Sequence, residues 1–144
     1  MTTQRRARRG SQAIEFALVL PVLLAVTSGI VDYGWYYSQA LSVIYAAREG
    51  GRTGAAHDFD DTGTPCSIAE TATINALKAA GFSTASASQV AGSVTTDSGT
   101  GELVLSVTAT IPYTKLWGLL PTPTNMVGRI TVRLEDQDNG TCTY

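Results

Sequence analysis

Three hydrophobic patterns succeed one another along this chain. From Ser11 to Val31 the residues are apolar with no period, interrupted by one charged side chain, Glu15. As a helix these twenty-one residues would span about 32 Å, against a hydrocarbon core of about 30 Å. A helical period follows: Tyr37, Leu41, Ile44 and Tyr45 fall on one stripe, Arg48 lies in the last turn and Gly50-Gly51 supply a stop. The pattern predicts one helix from about Gln12 to Glu49, its first half in lipid and its second half packed on a soluble part. Residues 51–66 read as a loop. In a second helix Ser67 is the expected cap, Glu70 completes a capping box, Gly81 ends it, and Ala69, Ala72, Ala76, Leu77 and Ala80 share a face.

The period then falls to two. Leu103, Leu105, Val107, Ala109 and Ile111 alternate with polar or smaller residues, as do Met126, Gly128, Ile130, Val132 and Leu134. A weaker strand covers about Ser88 to Thr95, with Asp97-Ser98-Gly99-Thr100-Gly101 as its hairpin turn. The expected fold class is α+β: a long N-terminal transmembrane helix, a second helix and a three-stranded antiparallel sheet. Between the last two strands Tyr113, Leu116, Trp117, Leu119 and Leu120 are expected to fold back on a core rather than form an exposed docking tip.

Charge sets the orientation. Arg5, Arg6, Arg8 and Arg9 precede Gly10, where no acidic residue occurs, and residues 11–144 carry a net charge of -6. Arginines before the apolar run and Asp32 after it place the N-terminus in the cytoplasm, with Tyr33, Trp35, Tyr36 and Tyr37 at the far interface. The run exceeds the usual h-region of a cleaved secretory signal, and Thr27-Ser28-Gly29 is a poor cleavage site. The expected division is a basic leader at 1–10, a transmembrane helix at 11–34 and an extracytoplasmic domain at 35–144. A basic run abutting a spanning helix, with no interleaved aromatic residue, does not point to nucleic acid.

Little in the chain suggests catalysis. His57 is the one histidine, and it stands with Asp58, Asp60 and Asp61 in a loop whose spacing is not that of an EF-hand. No metalloprotease, phosphate-loop or nucleophile-elbow motif is present. No enzymatic activity, cofactor or metal is expected. Cys66 and Cys142, both beyond the helix, are expected to pair in an oxidising compartment.

Glu15 is the costly residue. A carboxylate within a spanning segment needs a partner in lipid, even near an end where it can snorkel. Ala25 and Gly29 form a small-xxx-small pair of the kind that lets helices approach closely.

The basic leader, Gly10 and the following SQAIEFALVLPVLL resemble a class III signal cut by a prepilin peptidase. The closest resemblance is to the TadE/TadG-like pseudopilins of tight-adherence (Flp) pilus systems, the TadE branch preferred. In that family cleavage follows the glycine, and a glutamate and an aromatic stand where Gly10 is followed by Glu15 and Phe16. The resemblance implies a minor pilin-like subunit at the bacterial cytoplasmic membrane. Its partners would be lipid, the prepilin peptidase, other pilin subunits and the assembly platform, with possible entry into the fibre. Cleavage would free an amine at Ser11, about 6 Å along the helix from Glu15. That amine is cationic at neutral pH and would pair with the Glu15 of a neighbouring chain. The alternatives are an unprocessed, membrane-anchored accessory protein and a domain released by signal peptidase near residues 27–30.

Overall fold

A computed structural model describes residues 4–56, 63–118, 121–134 and 142, with residues 4–11 described by their backbone alone. The elements are α1 (Gln4–Ala55), α2 (Pro65–Ala79), a short 3-10 turn (Ala87–Gln89), β1 (Val90–Thr96), β2 (Leu103–Pro112) and β3 (Asn125–Arg133). The chain forms two compact units. One holds Met1–Tyr36 with Lys115–Thr122, and the other Tyr37–Thr114 with Pro123–Tyr144.

The second unit is the expected α+β domain. Its three strands lie in the order β1-β2-β3, antiparallel throughout. Register puts Leu105 opposite Val132, Val107 opposite Ile130, Ala109 opposite Gly128 and Ile111 opposite Met126. One sheet face is therefore apolar and covered, as the alternation predicts, while Thr131, Arg129 and Arg133 are exposed on the other. The turn closes as expected: the Asp97 N–H donates to Glu102 O, and the Gly101 N–H to Asp97 O.

The helices depart from the sequence reading in three ways. First, α1 runs on through Gly50-Gly51 to Ala55, and its backbone is already helical at Gln4. Local propensity predicts a stop at the glycines, but tertiary packing uses them for close approach. A Cβ at Gly50 would overlap Thr73 Oγ1, one at Gly51 would sit 2.9 Å from Ile130 Cγ2, and one at Gly54 2.6 Å from Ala69 Cβ.

Second, the buried stripe of α1 is not Tyr37, Leu41, Ile44 and Tyr45. It is Val43, Ala46, Ala47, Gly50, Gly51 and Gly54, and Tyr37, Leu41 and Tyr45 are exposed. Small residues face inward because the sheet comes close. A Cβ on Gly128 of β3 would lie 2.7 Å from the carbonyl oxygen of Val43.

Third, the N-cap of α2 lies three residues before the expected one. Thr64 is the N-cap, Pro65 occupies the first turn, and Thr64 and Ser67 exchange the two hydrogen bonds of the capping box. Glu70 is thereby free for another task, accepting the Gly92 N–H of β1 at 2.7 Å. Gly81 ends the helix as expected, with φ +101°, which few side chains tolerate. The core face of α2 is Cys66, Ala69, Thr73 and Leu77, whereas Ala80 is exposed and Ala72 and Ala76 are half-buried.

Cys66 and Cys142 are joined, their Cα atoms 5.4 Å apart. The bridge lies over β1: Gly92 leaves room for Cys66, and the Val94 N–H donates to Cys142 Sγ at 3.2 Å. With Glu70 it thus covers N–H groups of an edge strand that would otherwise invite another chain. In the chain-entropy account a closed loop of this size contributes about 4 kcal/mol.

The glycine packing makes a direct prediction. Gly54→Ala should destabilise the detergent-extracted protein by about 1–3 kcal/mol in chemical denaturation, because α2 must shift. Gly34→Ala, where a Cβ meets nothing within 4 Å, should be neutral or stabilising by up to about 1 kcal/mol.

Candidate functional site

The apolar half of α1 is built for a non-aqueous environment. It is long and apolar enough to cross a membrane. Phe16, Leu18, Val22, Leu23, Val26 and Ile30 are all exposed, so the chain provides no core of its own for them. Pro21 deletes one helical hydrogen bond, a loss that spanning helices tolerate. Thr27 turns its hydroxyl back onto Leu23 O at 2.8 Å, which satisfies it within the helix.

Glu15 is treated differently. It lies on the exposed surface of this half, beside Gln12, Phe16 and Val19. It has no hydrogen-bond or ion-pair partner among the described residues. Gly10 and Ser11 lie in the helical backbone of α1. The side chains of Arg5, Arg6, Arg8, Arg9 and Ser11 fall outside the described residues. Of the small-residue pair, Ala25 is exposed and Gly29 is buried.

Asp32 is the residue whose role the sequence reading missed. It ends the apolar run, yet its side chain is wholly buried. Its two carboxylate oxygens each accept a backbone N–H, Oδ1 from Trp117 and Oδ2 from Gly118, both at 3.0 Å. The Tyr33 hydroxyl donates to Pro121 O at 2.7 Å. Gly118 has φ +68°, a conformation that suits glycine and presents consecutive N–H groups to one anion. Hydrogen bonds to an ionised acceptor are about twice as strong as neutral ones. Trp117, Gly118 and Pro121 are thus tied to α1.

The expectation that this loop folds back on a core holds for Tyr113, which is buried, and not for its tip. Leu116 is 49% exposed and Trp117 60% exposed, while Leu119 and Leu120 lie outside the described residues. The physical reason is that the loop is held through its backbone, which leaves these side chains uncommitted.

Residues 10–52 match the family model of TadE-like proteins. The match begins at Gly10, covers Glu15 and the whole apolar run, and continues into the glycine-lined end of α1. The TadE branch preferred from the sequence is consistent with it. Neither the curated proteins nor the solved structures gave a match.

Between the end of α1 and β3, a hollow of about 490 Å³ is lined by Arg48, Arg52, Arg133, Ile130 and Val132. Its arginines are already engaged: Arg52 pairs with Glu49 at 3.6 Å, Arg133 pairs with Glu102, and Arg48 lies over the Tyr45 ring. Among the described residues no group of three or more His, Cys, Asp or Glu side chains is placed to hold a metal. His57, Asp58, Asp60 and Asp61 lie outside them.

The clamp predicts that Asp32→Ala should speed hydrogen exchange at the Trp117 and Gly118 amides by at least about tenfold, since each loses a charged acceptor worth about 1.5–3 kcal/mol. Asp32→Asn, which keeps one acceptor oxygen, should fall between the variant and the native chain.

Proposed function

We propose that this protein is a minor, pseudopilin-like structural subunit of a tight-adherence pilus or related secretion machine. In this reading a prepilin peptidase cuts it after Gly10, and it assembles through α1. The observation that carries the proposal is Glu15: a carboxylate five residues beyond Gly10, exposed, without a partner among the described residues, and inside the TadE-like match.

The mechanism follows from charge in lipid. An unpaired carboxylate near the end of a spanning helix costs up to about 3 kcal/mol, and snorkelling lowers that figure. Cleavage between Gly10 and Ser11 creates an α-amine, cationic at neutral pH, at the start of the helix. The amine of one subunit neutralises the Glu15 of its neighbour, and the match of charges sets the stagger between their helices. Ala25, exposed on the same helix, permits close approach, and the exposed Tyr37, Leu41 and Tyr45 extend the apolar face beyond the lipid. The N-terminal arginines hold the leader on the cytoplasmic side, where the peptidase and assembly platform act on it, and the α+β domain faces the periplasm. In that compartment the Cys66–Cys142 bond is stable. The protein works as a structural part whose chemistry is done to it by the peptidase.

The reading is tested by the N-terminal mass of the protein extracted from membranes with and without an active prepilin peptidase. A start at Ser11 that requires the enzyme is expected. An intact leader would favour an unprocessed accessory protein, and a start near Ile30 a released domain. In the same strain Glu15→Ala should leave cleavage intact and lower pilus output several-fold.

A further inference from the structure

We propose that Lys115–Gly118 is a second membrane contact, a wedge clamped to α1 by Asp32 that seats Leu116 and Trp117 in the boundary between lipid headgroups and acyl chains. The inference rests on α1 spanning the bilayer, as in the proposed function.

Depth is the first argument. Asp32 is the first charge after the apolar run, so its clamp sets the loop at the level where the helix leaves the hydrocarbon. Burial then continues inward, because Ser28 and Gly29 are covered although both lie within the run. From Asp32 to Ser28 is one helical turn, about 6 Å. The segment that shares a unit with this part of α1 therefore lies at the edge of the hydrocarbon, within about one helical turn of its boundary with the headgroups.

Residue chemistry is the second argument. Trp117 combines a large apolar body with one N–H donor, the combination that concentrates at membrane interfaces. Leu116 beside it is exposed, as are Ile30, Val31 and Trp35 on the adjoining helix. All five are large apolar or amphipathic side chains left exposed. Lys115 is exposed at the entry to the loop and can reach lipid phosphate while its stem stays in the apolar zone. Asp32 and Tyr33 satisfy backbone groups of the loop at Trp117, Gly118 and Pro121. Those groups therefore need no water at that depth.

The chain contains two tryptophans, so Trp35→Phe leaves Trp117 as the sole indole fluorophore. The full chain with this substitution is reconstituted in phosphatidylcholine vesicles brominated either near the carbonyl end or near the methyl end of the acyl chains. Trp117 should lose most of its fluorescence to the shallow bromines, less to the deep ones, and little to aqueous iodide. Adding Asp32→Ala should reverse the order, with iodide quenching strongly. A Trp117 reached by iodide and not by bromine would overturn the proposal. So would a Trp117 reached by neither, which would mean that another protein surface covers it. Persistent lipid quenching in the Asp32→Ala chain would remove Asp32 as the clamp. A separate probe, Val22→Trp with both native tryptophans replaced by Phe, reports on the helix alone. If it is quenched by deep bromines and Trp117 by none, the spanning helix stands and the wedge falls. If neither is quenched, the spanning helix itself is refuted, and the wedge with it.

Discussion

A helix that passes from water into lipid must satisfy its polar groups from within the protein, because the surroundings offer no partner. The first half of α1 meets that constraint at Thr27 and Asp32, though the buried Ser28 hydroxyl has no hydrogen-bond partner among the described residues. Thr27 bonds back to its own helix, and Asp32 is buried against two N–H groups brought from residues 85 and 86 positions later. The leader arginines, in the proposed orientation, stay in cytoplasmic water. Glu15 is the charged group for which the described chain supplies nothing. In the proposed function its partner is the Ser11 amine of a neighbouring subunit.

Beyond the apolar run the same helix obeys a different rule. There it presents glycine and alanine inward and leaves Tyr37, Leu41 and Tyr45 outside. Glycine within a helix costs about 1 kcal/mol relative to alanine, so three in five positions near its end require an offsetting gain. That gain is backbone-close packing on α2 and on β2 and β3, through contacts with Ala69, Leu105 and Ile130 that a single added methyl group would crowd. The large side chains Tyr37, Leu41 and Tyr45 are thereby left at the surface of the unit. A disulfide and Glu70 then protect β1, one of the two edge strands.

Sequence pattern was most legible where it is local and repeated. Alternation located β2 and β3 and their covered face, the turn at Asp97–Gly101 set a weaker first strand beside them, and Gly81 marked the end of α2. The even cysteine count and their position anticipated Cys66–Cys142. Local reading failed where distant packing overruled propensity. Gly50-Gly51 looks like a stop until Thr73 and Ile130 are brought against it, and the aromatic stripe of Tyr37 and Tyr45 looks like a core until Gly128 shows how close the sheet lies. The cap moved to Thr64 because Pro65 suits the first helical turn better than the interior of a loop. The Asp32 clamp was hidden for another reason: its donors are backbone N–H groups, which carry no residue signature. Only the Gly118 conformation and the placement of a lone acid at the end of an apolar run hinted at it. Glu15 was legible at once, as an isolated charge always is in such a run.

The central claim is that the cut end of one subunit neutralises Glu15 of the next. It is tested most directly by treating assembled membranes or fibres with a lipid-permeant carbodiimide, which joins an amine to a carboxylate only where the two are in contact. Mass spectrometry of the digested product should then find an amide between the α-amine of Ser11 and the side chain of Glu15 from a different chain, distinguished by mixing isotopically labelled and unlabelled subunits. A Glu15 that never cross-links to a Ser11 amine, in subunits shown to be cleaved and assembled, would contradict the account.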